Sequence, residues 1–276
     1  MSWVARLNLD YSLEAGRSVA RHAHDGPLRI LQSLYPEGDA ICHNVLVHPP
    51  GGLVGGDTLD MQLTLGAGSH GLVTTPGATR FYRSEAGQAT QQVVARVEDG
   101  ARLEWLPLEA LAYSGSEALN LARFELAPTA ELLTWDITAL GLPHAQQPFV
   151  AGRFQQHLEI PGVWLERGTV DAQDERLMDG PLGLAGQRCM ATLVFAAGSA
   201  MAPERAEAAL EAARAAIETS PLRLQAGATQ PHPQVIVLRV LAPVVEPAMQ
   251  LLRPVWAAWR QTLWNLPATV PRLWNL

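Results

Sequence analysis

Residues His48–Ser84 read HPPGGLVGGDTLDMQLTLGAGSHGLVTTPGATRFYRS, and they carry the clearest structural signal in the chain. Within them, the segment 58–65 alternates apolar and polar side chains, which is the period of a half-buried strand. Glycine-rich turns at 51–56 and 66–68 flank this segment, because glycine adopts positive φ values at little cost. Pro76–Gly77 predicts a further tight turn. The stretch therefore predicts short strands joined by tight turns.

The same pattern extends along the chain in both directions. Asp99–Gly100 predicts a hairpin between strands at 88–98 and 102–106, and Pro161–Gly162 predicts another. We count about a dozen short strands, which is typical of an all-β sandwich, a barrel or a wound sheet. No internal repeat of fixed period is visible, so the pattern does not predict a solenoid.

Two helices interrupt the strands, near 203–219 and 245–265. Apolar residues recur in both at the spacing of a helix with one buried face. Pro254 lies inside the second helix and predicts a kink or a break, because proline removes one backbone hydrogen bond. No linker divides the chain, so we expect one domain over residues 1–276.

Tryptophans are concentrated near the C-terminus. Trp256 and Trp259 fall on the apolar stripe of the second helix, where core packing is the usual role. Trp264 falls off that stripe. Together with Leu273 and Trp274 it indicates a second apolar surface, which would need a partner.

Composition excludes several classes of function. The net charge of −7 over 276 residues disfavours a nucleic-acid partner. All 20 basic residues are arginine, which rules out Schiff-base, phosphate-loop and general-base lysines. No apolar run is long enough for a membrane span, and no signal peptide is visible. Cys42 and Cys189 lie far apart with no C-x-x-C motif, so we expect a reduced, cytoplasmic protein.

Candidate metal and phosphate sites are weak. His22 and His24 have the spacing that places two side chains on one face of a strand, and imidazole binds Ni, Cu and Zn, but no third ligand follows nearby. A solvated histidine pair is the alternative. The glycine-rich turn that ends at Asp57 lacks the G-K-[ST] ending of a phosphate loop and precedes a strand, so we interpret it as a turn that places Asp57 beside the core.

No serine, cysteine or histidine lies in a recognisable catalytic signature. Glu104, Glu109, Asp136 and Glu166 could supply a carboxylate pair for glycoside chemistry, but the sequence does not place any two of them at the required separation. Solvated strand faces are the usual location of such carboxylates.

Several motifs together resemble the urease accessory proteins of the UreD family, called UreH in some organisms. These motifs are GGLVGGD at 51–57, TTPGATRFYRS at 74–84, LEWLPLE at 103–109, WDITALG at 135–141 and DGPLGL at 179–184. The resemblance implies a β-rich fold of two packed, mixed sheets with wound, β-helix-like character and a pair of helices. It also implies a scaffold without catalytic activity that joins UreF and the GTP-hydrolysing nickel carrier UreG to the urease apoprotein.

In such proteins nickel is thought to pass through the interior, so no resident cofactor is implied, only Ni²⁺ in transit. The resemblance suggests that acids in the matching motifs line the passage: Asp57 and Asp136, with Glu104 and Glu109 behind them. It suggests a role in shape or partner contact for Thr75, Arg80, Tyr82, Arg83, Trp256, Trp259 and Trp264. The family pattern leads us to expect Gln at Leu108 and Thr at Ala110, which leaves the role of Glu109 open.

The alternative from another class is a β-rich carbohydrate-active or cupin-like metal-dependent enzyme that uses the acids and histidines above. Turnover of a glycoside, or a stable metal on the isolated chain, would favour the enzyme. Co-purification with UreF and UreG without activity alone would favour the scaffold.

Overall fold

The computed structural model describes residues 2–275 and consists mainly of strands. In chain order these are β1 (Val4–Glu14), β2 (Arg17–Asp25), β3 (Arg29–Leu34), β4 (Cys42–Val47), β5 (Gly52–Leu53), β6 (Thr58–Leu65), β7 (His70–Thr74), β8 (Thr79–Phe81), β9 (Ala89–Val97), β10 (Arg102–Leu106), β11 (Ala110–Ala112), β12 (Ser116–Leu126), β13 (Glu131–Leu142), β14 (Gln147–Pro148), β15 (Gly152–Ile160), β16 (Trp164–Asp171), β17 (Cys189–Ala197), β18 (Ala226–His232) and β19 (Val235–Ala242). The α-helices are α1 (Glu175–Asp179), α2 (Pro203–Glu218) and α3 (Val245–Trp264), and short 3₁₀ turns lie at Pro143–Ala145 and Arg272–Asn275.

The strands form two packed, mixed sheets. The first sheet has the order β16-β15-β12-β9-β6-β1-β2. The main path of the second sheet is β18-β19-β17-β13-β10-β7-β4-β3, and the short strands β5, β8, β11 and β14 pair beside it. Helices α2 and α3 cover the outer face of the second sheet, so the molecule has three layers and two apolar cores. The mainly β fold expected from the resemblance is confirmed.

The middle of the chain winds as a β-helix. Strands β6, β9, β12 and β15 pair in parallel in the first sheet, and β4, β7, β10 and β13 pair in parallel in the second. The chain therefore crosses from one sheet to the other in each coil. Gly52 pairs with Arg80, whereas Ser116 pairs with Gly152, so the coil length varies from 28 to 36 residues. The sequence pattern did not predict these coils, because coils of unequal length leave no fixed period in the sequence.

The hairpin predicted at Asp99–Gly100 is also wrong. β9 lies in the first sheet and β10 in the second, and the dipeptide carries the chain between them. Its polar groups bond to the turns of the neighbouring coils: Asp99 accepts from the hydroxyl of Thr129 at 2.7 Å, and the Asp99 carbonyl accepts from the amide of Gly68 at 2.9 Å. The Pro161–Gly162 hairpin is confirmed, since β15 and β16 pair antiparallel.

Both predicted helices are confirmed, and α1 is an addition that the sequence did not predict. α3 continues through Pro254 without a break. The second apolar surface predicted around Trp264 and Trp274 is wrong, because both rings are buried inside the chain, with 7% and 4% of their surface exposed. Trp264 packs against Phe195, and Trp274 packs against Trp135. Among residues 2–275, no helix is both long and apolar enough to cross a lipid bilayer.

Candidate functional site: a polar seam between the two sheets

A row of polar side chains crosses the second sheet on the face that looks toward the first. Asp136 on β13 pairs with Thr192 on β17, and Thr192 pairs with Arg239 on β19. Residues paired in this way project to the same side of a sheet. The neighbours Trp135 and Ile137 point the other way, into the core under the helices. Strand alternation therefore brings a carboxylate into the space between the sheets.

Hydrogen bonds link Asp136 to polar residues of the wound strands. Asn120 donates its amide N–H to Asp136 at 2.9 Å, and Gln91 donates to the amide oxygen of Asn120 at 3.1 Å. Thr79 donates its hydroxyl to Gln91 at 2.9 Å. Thr138 donates to the other oxygen of Asp136 at 3.3 Å. We call these five residues, Thr79, Gln91, Asn120, Asp136 and Thr138, the inter-sheet seam.

A narrow cavity of about 20 Å³ lies along the middle of the seam, lined by Gln91, Asn120 and Asp136 among apolar neighbours. A volume of that size holds one water molecule or one small ion. The interior at this point is polar but too small for an organic substrate.

One end of the seam reaches a larger cavity of about 210 Å³, which we call the His48 cavity. Its wall includes Thr79 and Gln91 of the seam, together with His48 and Arg80. The Nε2 atom of His48 is buried and has no hydrogen-bond partner. Burial lowers the pKa of His48, while the negative charge of Asp57 acts in the opposite direction.

The other end of the seam reaches the surface between the outer strands of the two sheets. Glu166 on β16 accepts from the hydroxyl of Thr192 at 3.4 Å and from the guanidinium of Arg239 at 2.9 Å. These three residues line a surface cavity of about 510 Å³, which we call the Glu166 mouth. Hydrogen bonds therefore connect the wall of the His48 cavity to Asp136, and strand pairing places Thr192 of the mouth beside Asp136.

The electrostatics of Asp136 distinguish it from the other acids. Burial raises its pKa from 3.8 to about 7, the negative charge of Glu166 adds to the rise, and the hydrogen bond from Thr138 opposes it. The carboxyl is therefore close to half protonated at neutral pH. A group in that condition exchanges its proton for a cation with little cost.

Asp57 lies outside the seam, although it is buried. Its oxygens accept from the amides of Trp3 at 3.2 Å and Val54 at 3.1 Å. These bonds close the glycine-rich turn and fix the start of β6. Asp57 acts on the His48 cavity through its charge.

Glu104 and Glu109 lie away from Asp136. Glu104 points from the opposite face of the second sheet toward α3, where it bonds to His70 at 2.9 Å and accepts from Trp256 at 2.7 Å. Glu109 lines a surface groove beside the start of α3, and its charge adds to the effect of burial in raising the pKa of Cys189 to about 12. The structure thus does not bring the four acids of the family-like motifs to one place.

The predicted shaping and contact residues fall into two groups. Arg80 and Arg83 are exposed and Tyr82 is half-buried on the side of the β-helix, where the Tyr82 ring packs against Tyr113. Thr75 is internal to its turn and accepts from the amide of Leu108 at 2.8 Å. The second group, Trp256, Trp259 and Trp264, is buried under α3.

His22 and His24 lie on one exposed face of β2, with their rings stacked at 5.8 Å, as the spacing predicted. Among residues 2–275, no group of three or more His, Cys, Asp or Glu side chains is arranged to hold a metal ion. The histidine pair therefore lacks further protein ligands of these types.

Sequence reasoning missed Gln91, Asn120, Thr192 and Arg239 as site residues and considered Glu166 only for glycoside chemistry. The sequence did offer one signal. Gln91 and Asn120 occupy inward positions of their strands, and the other inward residues of those strands near them are apolar. A polar side chain at such a position must find a buried partner.

Comparisons with known proteins identify the family of this chain. A family model described as "UreD urease accessory protein" matches residues 4–275. The chain is 65% identical to a urease accessory protein UreD of Paracidovorax citrulli and 64% identical to one of Albidiferax ferrireducens, each over the whole of both chains. It is 49% identical to a urease accessory protein UreD of Methylibium petroleiphilum, again over both full lengths. The chain therefore belongs to the UreD family of urease accessory proteins.

Proposed function

We propose that this chain passes Ni²⁺ toward the urease active site along the inter-sheet seam, and that it does so as a scaffold without catalytic activity. Its family places it in urease maturation. The observation that carries the proposal is the unbroken set of hydrogen bonds from Thr79 to Asp136, with Glu166 beyond it. The partners in the proposal are UreF, UreG and the urease apoprotein.

The chemistry of the seam suits a passing divalent cation. Carboxylate, amide and hydroxyl oxygens are hard, exchangeable ligands, whereas a set of thiolates or imidazoles would retain nickel. Asp136 and Glu166 supply two negative charges within electrostatic reach of each other. No point along the seam offers a closed set of ligands, so an ion bound there is not retained and can move on.

The raised pKa of Asp136 also supports passage of a cation along the seam. A carboxyl with a pKa of about 7 can be neutral while the seam is empty and ionised while a cation is beside it. The empty protein therefore avoids the cost of an uncompensated buried charge. Passage of each ion is coupled in this proposal to release and recovery of one proton.

The other predicted acids take supporting roles in this proposal. Asp57 shapes the wall of the His48 cavity by closing its turn. Glu104 holds α3 on the second sheet, as its bonds to His70 and Trp256 indicate. Arg80 lines the His48 cavity, and Arg80, Tyr82 and Arg83 are proposed as a contact surface for a partner.

The enzyme alternative gains no support from the geometry. Asp136 and Glu166 are the acids closest to a catalytic pair, but the cavity at Asp136, of about 20 Å³, cannot admit a sugar ring. Glu104 faces the helices on the other side of the sheet.

The test uses Asp136→Asn and Glu166→Gln, with Asp60→Asn as the matched control. Asp60 is a carboxylate on β6 that bonds to Gln62 and Gln92, away from the seam. Each variant is combined with UreF, UreG, urease apoprotein and nickel, and both co-purification and urease activation are measured. We expect all three variants to assemble with the partners, and we expect only Asp136→Asn and Glu166→Gln to activate urease poorly. Normal activation by both seam variants would show that the seam is not the route.

A further inference from the structure

We propose that Arg239 is the gate of the Glu166 mouth. Its guanidinium holds the position beside Glu166 that a divalent cation would take, and it keeps the seam closed until it is displaced. This inference rests on the proposed function, because it concerns access to the same path.

The geometry places Arg239 at the boundary between solvent and seam. It is the outermost member of the row in which Thr192 pairs with Asp136, and it reaches across to Glu166 on the edge strand of the other sheet. The Arg239–Glu166 distance is 2.9 Å, with the arginine side chain 56% exposed and the glutamate 18% exposed. A cation that enters here meets the Arg239–Glu166 pair.

The position of Arg239 is also fixed from the side. Its guanidinium carbon lies 5.6 Å from the ring centre of Trp164, the first residue of β16. Trp164 and Glu166 project to the same face of that strand, two positions apart. The ring and the carboxylate together hold one planar cation, an arrangement that suits arginine better than lysine.

The strength of the pair suits a gate. An ion pair with one half-exposed partner is weak, so a competing ion can open it. A divalent cation carries twice the charge of arginine and competes directly for Glu166.

The gate is tested by titrating the purified full chain with NiCl₂ while tryptophan fluorescence is recorded. Trp105 lines the cavity at Asp136 and belongs to the core between the sheets, so a bound paramagnetic ion quenches it. We expect Arg239→Gln to bind Ni²⁺ about fivefold more tightly than the wild type, which corresponds to loss of about 1 kcal/mol of competition. Arg239→Lys should fall between the wild type and Arg239→Gln, because it retains the charge but not the planar group beside Trp164.

Two further variants make the result decisive. Arg153→Gln removes a similarly exposed arginine from its pair with Asp171 in the β15–β16 pair, and it should bind as the wild type does. Addition of Glu166→Gln to Arg239→Gln should abolish the gain. Equal binding by the wild type and Arg239→Gln, or a gain that survives Glu166→Gln, would overturn the gate.

Urease activation separates failure of the gate from failure of the route. One combined outcome would show that Arg239 is not a gate although nickel still passes along the seam. In that outcome Asp136→Asn and Glu166→Gln activate urease poorly, and Arg239→Gln binds Ni²⁺ as the wild type does. Normal activation by both acid variants would remove the route itself.

Discussion

Trp256 on α3 donates its indole N–H to Glu104 on β10 at 2.7 Å, 152 positions earlier in the chain. The same face of α3 carries two more such contacts, one helical turn apart. Arg260 bonds to Glu37 at 2.7 and 3.1 Å, and Trp264 donates to Glu131 at 2.7 Å. α3 is therefore bound to the second sheet by donors that match three acids as well as by apolar packing. A polar match of this kind fixes the register of the helix on the sheet.

Removal of Glu104 should destabilise the fold strongly. Glu104→Ala removes a carboxylate that three buried groups share. These groups are the guanidinium of Arg260, the ring of His70 and the indole N–H of Trp256. Breaking a buried charged contact in this way costs about 3 kcal/mol or more. Urea unfolding of the variant should show that loss.

The control is Glu109→Ala, which removes a half-exposed acid at a surface groove and should change the free energy of unfolding by less than about 0.5 kcal/mol. Similar stabilities for the two variants would contradict a structural role for Glu104.

The free energy of unfolding should depend on pH through the titration of Asp136. The pKa of this carboxyl is raised in the fold from 3.8 to about 7. Its contribution is therefore complete below pH 3.8 and is lost as the pH rises through about 7, because the folded state then releases a proton that the unfolded state has already lost. Relative to Asp136→Asn, the wild type should lose roughly 3 kcal/mol of unfolding free energy between pH 5 and pH 8. A difference between the two proteins that stays constant over this range would show that Asp136 titrates normally.

Gly52 should be required for the surface around Tyr82. A Cβ atom at Gly52 would lie 2.3 Å from the Tyr82 ring and 2.9 Å from the carbonyl oxygen of Arg80. Gly52→Ala should therefore push the ring from its place and cost about 1–3 kcal/mol. It should also weaken co-purification with the proposed partners, because Tyr82 belongs to the proposed contact surface.

Gly77→Ala is the matched control, since a Cβ atom there meets nothing within 4 Å. It should leave both stability and co-purification unchanged. If Gly52→Ala and Gly77→Ala co-purify equally well with the proposed partners, Tyr82 does not belong to the contact surface.

The local sequence pattern predicted the main strands and helices, but it did not predict how these elements pair. The alternation in Thr58–Leu65 correctly predicted β6, because one face of that strand is buried. Asp99–Gly100 has the local chemistry of a hairpin, but the stacking of coils decides which strands pair. Arg239 and Glu166 are 73 positions apart and meet only because two sheet edges come together. Asp136 was singled out from its motif, whereas its partners depend on strand register, which periodicity alone does not give.

Gln91 and Gln92 provide the sharpest test of the seam, because they are consecutive residues on opposite faces of β9. Gln91 links Thr79 to Asn120, whereas Gln92 donates to Asp60 at 3.0 Å outside the seam. Gln91→Leu keeps the approximate volume but removes the polar group between the His48 cavity and Asp136. It should cost about 1–3 kcal/mol through the partners left unpaired.

Gln91→Leu should also lower nickel-dependent activation of urease several-fold more than Gln92→Leu does, measured with equal amounts of assembled complex. Its effect should not be relieved by more nickel, because an apolar side chain blocks the path rather than weakening one binding site. If Gln91→Leu and Gln92→Leu activate urease equally, nickel does not pass between the sheets at this point. The hydrogen bonds of the seam would then serve only to hold the coils of the β-helix in register.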